Sequence, residues 1–289
     1  MTLITAGVDV GSTYTKVVVL DESDVVRGRA MARTGFRLEE VAASTYAAAL
    51  ADAGCSDEEV AYVVATGMGR HQAVIRDIQV TDVTAASRAA TVLGPSARTI
   101  LDIGGQTMKA SRIDERAKVR SFRLNDKCAA GTGTFLEKTA RYLGYRIEEV
   151  GPLMATSKEA VPISGVCAVF AESEVINHVS SGCAPADIMY GAVVSLSDRA
   201  VQLMKRVNLE PEFTLVGGIM RFARMVEVVS ERLKASVNVP PGDLVQYTGA
   251  VGAALLGARR LEKLLAEGRP QASTPQHIPA SSAPAPGVR

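Results

Sequence analysis

Three short stretches of this chain carry residue types suited to phosphate. They are Asp9-Val10-Gly11-Ser12-Thr13-Tyr14-Thr15-Lys16, Asp102-Ile103-Gly104-Gly105-Gln106 and Leu215-Val216-Gly217-Gly218. Each reads as a strand that ends in an acid or a small-residue turn. Phosphate oxygens are best met by backbone N–H groups that approach closely, and small residues permit that approach. Gly11, Ser12 and Thr13 form such a turn. Asp9, near the strand end, is placed to hold a water of Mg²⁺. Lys16 is a point charge within reach of a phosphate. Asp102 with Gly104 and Gly105 repeats the arrangement, and Gln106 is placed to orient a hydrolytic water. Gly217 and Gly218 leave room for a base or ribose against the backbone. One Gly-rich turn is a weak signal. Three in this order, the first two about a domain apart, describe ATP held with Mg²⁺ by two similar lobes. None has the P-loop spacing, which excludes that class.

A second chemistry lies between these stretches. Cys128 precedes Ala-Ala-Gly131-Thr-Gly133 and a helical pattern; Cys167 follows Ser164-Gly165-Val166 and opens another. A helix N-terminus favours thiolate, so both positions suit metal ligation. They are 39 residues apart, which is neither a zinc-ribbon nor a ferredoxin spacing. An iron–sulfur cube usually takes four thiolates, and one chain offers two at such positions. Two chains sharing one [4Fe–4S] cluster across a two-fold axis would complete the set. On the residues alone, a pair of inert core cysteines or one redox-sensing thiol is the better fit. Cys55 and Cys183 sit in less distinctive surroundings. His71 and His178 read as surface or packing residues.

The elements that must position these residues follow from periodicity. Ile4–Val10 and Lys16–Leu20 read as a hairpin, with Val17-Val18-Val19 strongly β-branched. Helices are predicted over Leu38–Ala53, Asp82–Leu93, Thr132–Leu143, Ala168–Ser180, Pro185–Val207, Phe222–Leu233 and Thr248–Leu265. Strands are predicted over Val60–Ala65, Thr99–Ile103, Met108–Ile113, Val119–Leu124 and Thr214–Val216. Hairpin, helix, strand therefore occurs twice, which implies a duplicated α/β unit. The expected division is 1–96 with 249–268 as one lobe and 97–248 as the other. The Pro- and Ala-rich stretch 269–289 is expected to be a disordered tail.

Composition excludes other classes. Hydrophobic residues are 47% and charged residues 22%, as a folded core requires. A net charge of +1 with no long basic run argues against nucleic-acid and anionic-membrane partners. The absence of Trp and the 4% aromatic content weaken any base-stacking role. No stretch approaches the roughly 18 apolar residues of a membrane span, and the first residues lack an export pattern. A cytoplasmic location with reduced thiols is expected.

The combination of DxGSTxTK, DIGGQ, VGG and Tyr247-Thr-Gly-Ala-Val-Gly-Ala-Ala254 resembles the hexokinase–actin–chaperone ATPase superfamily. Within it, Asn125-Asp-Lys-Cys128-Ala-Ala-Gly-Thr-Gly133 and Gly165-Val-Cys167-Ala-Val-Phe-Ala-Glu-Ser-Glu174 resemble two groups. One is the ATP-dependent activators of 2-hydroxyacyl-CoA dehydratases; the other is the ATPase subunits of benzoyl-CoA reductase. The resemblance covers about residues 3–260. It implies two ribonuclease-H-like lobes of the actin/hexokinase type flanking an ATP cleft. It also implies a [4Fe–4S] cluster shared between two chains through Cys128 and Cys167. The activity implied is ATP hydrolysis coupled to electron transfer. The donor would be a ferredoxin or flavodoxin, and the acceptor a cluster-bearing reductase or dehydratase component. The chain would be a homodimer, or a heterodimer with a sister ATPase subunit. The Arg- and Ala-rich composition leans toward the benzoyl-CoA reductase type, with a dehydratase activator as the alternative. A small-molecule kinase of the same superfamily is the rival of another class. The family often carries an acid and a His near Asp82–Arg88; here the acid is Asp82 and no His is present.

Overall fold

The computed structural model describes residues 3–94, 96–125, 132–164 and 168–268. Cys128, Gly131, Cys167 and the stretch 269–289 lie outside the described residues. The chain forms two compact units. Among the described residues, one holds 3–89 together with 247–268; the other is Ala90–Gln246.

The first unit is built on β1 (Ile4–Val10), β2 (Tyr14–Leu20), β3 (Val26–Arg33), β4 (Val60–Thr66) and β5 (Ile78–Gln79). Their order in the sheet is β3-β2-β1-β4-β5. β1, β2 and β3 pair antiparallel, and β4 joins β1 in parallel. Side chains alternate along β1. Ala6, Val8 and Val10 enter a core with Ala42, Tyr46 and Ala49 of helix α1 (Leu38–Ala53). Thr5, Gly7 and Asp9 fall on the opposite face, where helix α8 (Leu244–Ala266) packs. There the Thr5 hydroxyl donates to the Ala254 carbonyl, and a methyl group on Gly7 would overlap the Ala250 carbonyl. α8 also crosses helix α2 (Asp82–Leu93) backbone to backbone, since a methyl on Gly252 would overlap the Ala85 carbonyl.

The second unit repeats this plan. β6 (Thr99–Ile103), β7 (Met108–Ile113) and β8 (Val119–Asn125) form the antiparallel part; β9 (Phe213–Val216) and β10 (Val237–Asn238) extend it in parallel. The order β8-β7-β6-β9-β10 is the order of the first sheet, strand for strand. Leu101 and Ile103 of β6 join the large core formed with α3 (Gly133–Tyr142), α4 (Val150–Ala155), α6 (Pro185–Lys205) and α7 (Ala223–Leu233). Ile100 lies on the other face with Ala90, Ala97, Ile113 and Val216. Helix α5 (Ala168–Ser180) packs on α3 and α6.

The duplicated α/β reading is therefore the observed architecture, with additions. β3 was not read from the sequence, because Val26-Arg-Gly-Arg-Ala-Met-Ala-Arg33 is a charged strand with exposed positions and weak alternation. α4 was also missed; at six residues, with Gly151 and Pro152 inside it, it lacks a helical signature. α8 begins at Leu244, not Thr248, which places Tyr247 inside the helix.

Because α8 meets β1 at backbone distance, Gly7→Ala should destabilise the first unit by about 1–3 kcal/mol through forced separation of helix and strand. Urea unfolding, with hydrogen exchange of α8 as local reporter, checks this.

Candidate functional site

In the first unit the parallel strands β1 and β4 end side by side, with Asp9 opposite Thr66. Ligands of α/β folds gather at such carboxyl ends. Asp9 is also opposite Lys16 across the antiparallel β1–β2 pair. Directly opposed residues point to one face, so the Lys16 ammonium lies 3.7 Å from Asp9 Oδ2. The side chains are 18% and 15% exposed, which limits solvent screening. Gly11 turns the chain between the two strands; a methyl there would sit 2.7 Å from the Tyr14 carbonyl oxygen. The Thr13 and Thr66 hydroxyls are buried with no hydrogen-bond partner among the described residues.

The second unit reproduces the same arrangement. Asp102 is opposite Lys109 on β7, with the ammonium 3.7 Å from Asp102 Oδ2 and exposures of 22% and 13%. The spacing from acid to lysine is seven residues in both copies. Gly104 N–H donates to the Thr107 carbonyl and closes the turn. Gln106 is exposed.

A glycine follows the neighbouring parallel strand in each copy. Gly67 after β4 has φ +85°, and a methyl there would lie 2.5 Å from the Val10 carbonyl oxygen and 2.6 Å from Asp9 Oδ1. Gly217 after β9 has φ +104°, and a methyl there would overlap the Ile103 carbonyl. Both positions combine a left-handed backbone with no room for Cβ. Arg70 donates one guanidinium N–H to the Gly67 carbonyl at 3.0 Å and so braces this turn. Gly249 brings α8 against the first carboxylate: a methyl there would be 2.9 Å from Asp9 Oδ2.

The two copies differ in what holds the turn. In the first, Thr34 N–H donates to the Thr13 carbonyl, and α1 begins only at Leu38. In the second, the helix starts on the turn itself. Gly133 N–H donates to the Gly104 carbonyl at 3.0 Å and Thr134 N–H to the Gly105 carbonyl at 2.8 Å. The Thr134 hydroxyl also donates to the Gly105 carbonyl. These are donors that a helix N-terminus leaves unpaired, here given to a loop. A methyl on Gly133 would lie 3.1 Å from Ile219 of the short turn Gly218–Arg221.

Asp9, Gly11, Ser12, Thr13 and Lys16 thus gather at one strand end in the first unit. Asp102, Gly104, Gly105, Gly133, Gly217 and Gly218 gather at the equivalent end in the second. Lys109, Gly67 and Thr134 were missed in the sequence, and Gly249 was read only as part of the Tyr247–Ala254 motif. The repeated seven-residue spacing was the available signal for Lys109. Arg221, the last residue of the turn Gly218–Arg221, lines a cavity of about 460 Å³ with residues including Gly151, Met154, Phe222 and Arg224. Its size falls in the range of small-molecule sites. Among the described residues, no group of three or more His, Cys, Asp and Glu is arranged to hold a metal.

The family model for the BadF/BadG/BcrA/BcrD ATPase family matches residues 6–257. The chain belongs to this ATPase family. It is 39% identical over 263 residues to the activator of lactoyl-CoA dehydratase of Anaerotignum propionicum, covering 90% of this chain and 100% of that one. It is 35% identical over 282 residues to one of the benzoyl-CoA reductase subunits of Thauera aromatica, covering 93% and 98%. The solved activator of the 2-hydroxyisocaproyl-CoA dehydratase from Clostridium difficile, with bound ADPNP, superposes with a TM-score of 0.86 at 32% identity. That match covers 92% of this chain and 98% of the activator. The actin/hexokinase-type fold expected from the motifs is thus the fold found. Among the described residues, no helix is long and apolar enough to cross a membrane.

Gly217→Ala should cost about 1–3 kcal/mol, from the strained φ and the lost clearance over Ile103. Nucleotide affinity should fall with it. Chemical denaturation and titration with a fluorescent ATP analogue test the two effects.

Proposed function

We propose that this chain is an ATP-hydrolysing electron-transfer component that activates an enzyme acting on a CoA thioester. The observation that carries the reading is the duplicated strand-end carboxylate–lysine pair within an ATPase family. Asp9 and Asp102 would orient the waters of Mg²⁺, each held in position by its opposed lysine. The buried unpartnered hydroxyls of Thr13 and Thr66 fit a role as donors to phosphate oxygens or metal-bound water. Gly11, Ser12 and Gly105 would offer backbone N–H groups, the turn being closed by the Gly104 N–H on the Thr107 carbonyl, and Gln106 is exposed where it can align the hydrolytic water. Gly217 and Gly218 would leave room for the base or ribose against the backbone.

A [4Fe–4S] cluster, when bound, supplies a one-electron carrier of low potential. The resemblance of the two cysteine motifs to those of the family supports Cys128 and Cys167, which lie outside the described residues, as the ligands of a cluster on this chain. α5 begins at Ala168, the residue after Cys167. α3 begins five residues after Cys128 and is hydrogen-bonded through Gly133 and Thr134 to the turn after Asp102. A change at that turn would therefore reach the chain beside Cys128 through two backbone hydrogen bonds. Two chains would together supply four thiolates. The electron donor would be a ferredoxin or flavodoxin.

The likeness to dehydratase activators, one at 39% identity and one nucleotide-bound over nine-tenths of this chain, favours a homodimeric activator of a 2-hydroxyacyl-CoA dehydratase. The likeness to the Thauera aromatica benzoyl-CoA reductase chain supports the second reading, a component paired with a sister ATPase. Anaerobic purification under native expression separates them. A homodimer that activates a separate dehydratase supports the first; co-purification with a sister ATPase and larger subunits supports the second.

Asp9→Ala and Asp102→Ala should each retain iron and sulfide while ATP turnover falls about 100-fold or more. Cys128→Ser and Cys167→Ser should lose iron and sulfide and still bind ATP. Full iron content in either cysteine variant, or unchanged turnover in both aspartate variants, would overturn the corresponding assignment. Thr134→Val should keep nucleotide affinity within a few-fold while weakening the nucleotide-dependent change in hydrogen exchange of α3; Thr134→Ser should restore it.

A further inference from the structure

Two of the described cysteines occupy the same backbone position in different company. α1 and α5 both end in a glycine with left-handed φ, Gly54 at +66° and Gly182 at +78°. In each, the glycine N–H donates to the carbonyl three residues back, Ala51 or Val179. The next N–H, of Cys55 or Cys183, donates to the carbonyl five residues back, Leu50 or His178. This is the Schellman arrangement, which sets the cysteine against the side chain of that earlier residue. At α1 the earlier residue is Leu50, and Cys55 packs against the apolar cluster that contains it. At α5 the earlier residue is His178, and Cys183 Sγ lies 3.7 Å from His178 Nδ1.

The other ring nitrogen fixes the chemistry. His178 Nε2 is 3.0 Å from the Pro162 carbonyl oxygen. A carbonyl only accepts, so Nε2 carries the hydrogen and Nδ1 presents its lone pair to the thiol. A thiol beside an imidazole whose tautomer is set by a third group is the geometry of an assisted nucleophile. Cys183 is half-buried, as is Cys55. Burial and the nearby Glu59 push the Cys55 thiol up, and among the described residues no imidazole is hydrogen-bonded to it.

We propose that Cys183 and His178 form a nucleophilic thiol–imidazole pair, a modification site for disulfides and other soft electrophiles, separate from Cys128 and Cys167. In the step, Nδ1 takes the thiol proton and Sγ attacks one sulfur of a low-molecular-weight disulfide. The new S–S bond forms as the old one breaks. The departing thiolate takes the proton and leaves as a thiol. The disulfide is the oxidant, and Cys183 is left as a mixed disulfide.

The test uses the full-length, anaerobically purified protein treated separately with oxidised glutathione and with iodoacetamide. Peptide mass spectrometry reads Cys55 and Cys183 independently. Cys183 should react about tenfold faster than Cys55, or more. His178→Gln keeps a donor for the Pro162 carbonyl but removes the base. It should slow Cys183 about fivefold or more, with the Cys55 rate and nucleotide binding unchanged as controls of folding. Equal rates at the two cysteines, or a Cys183 rate indifferent to His178→Gln, would overturn the proposal.

Discussion

Everything at the candidate site depends on a carboxylate held by a lysine directly across an antiparallel strand pair. The register makes it possible: Asp9 faces Lys16 and Asp102 faces Lys109, so each acid has a cation fixed on its own face of the sheet. The parallel strand on the other side ends beside the acid. The glycine after it keeps Cβ away from the backbone just beyond the carboxylate. The result is a negative group with small-residue walls at the carboxyl end of a sheet, formed twice by one topology.

Duplication makes the departures from symmetry informative. Thr66 stands opposite Asp9 where Val216 stands opposite Asp102. The first copy therefore carries an extra buried hydroxyl. The turn after β1 is tied to a strand-to-helix loop, whereas the turn after β6 is tied to the first residues of α3. Among the described residues, the second copy's turn is hydrogen-bonded to a helix start and the first copy's is not. That helix follows the Cys128 sequence. A shift of the turn by a fraction of an ångström is then a shift of the helix, because backbone hydrogen bonds at 2.8–3.0 Å leave little slack.

Much of the fold was legible because its strands and helices are strongly patterned. Val17-Val18-Val19 is β-branched and fully buried, and the glycines at 54, 144 and 182 end helices with positive φ. The hairpin–helix–strand repeat pointed to duplication before any sheet order was known. The strand Val26–Arg33 was lost because an edge strand rich in Arg carries little apolar alternation. At the site, the acids and glycines were visible as types at spacings. Their partners were not, because Lys109 and Thr134 acquire meaning only from register and from a turn-to-helix contact. Cys183 and His178 looked unremarkable in sequence because their pairing is made by the left-handed conformation of Gly182.

The measurement that bears most directly on the account is the midpoint potential of the anaerobically purified protein, with and without saturating MgATP. Nucleotide should make the centre a stronger reductant by at least ~59 mV, a tenfold change for one electron. A potential that stays fixed while ATP is demonstrably bound would contradict the coupling of the strand-end turns to the cysteines.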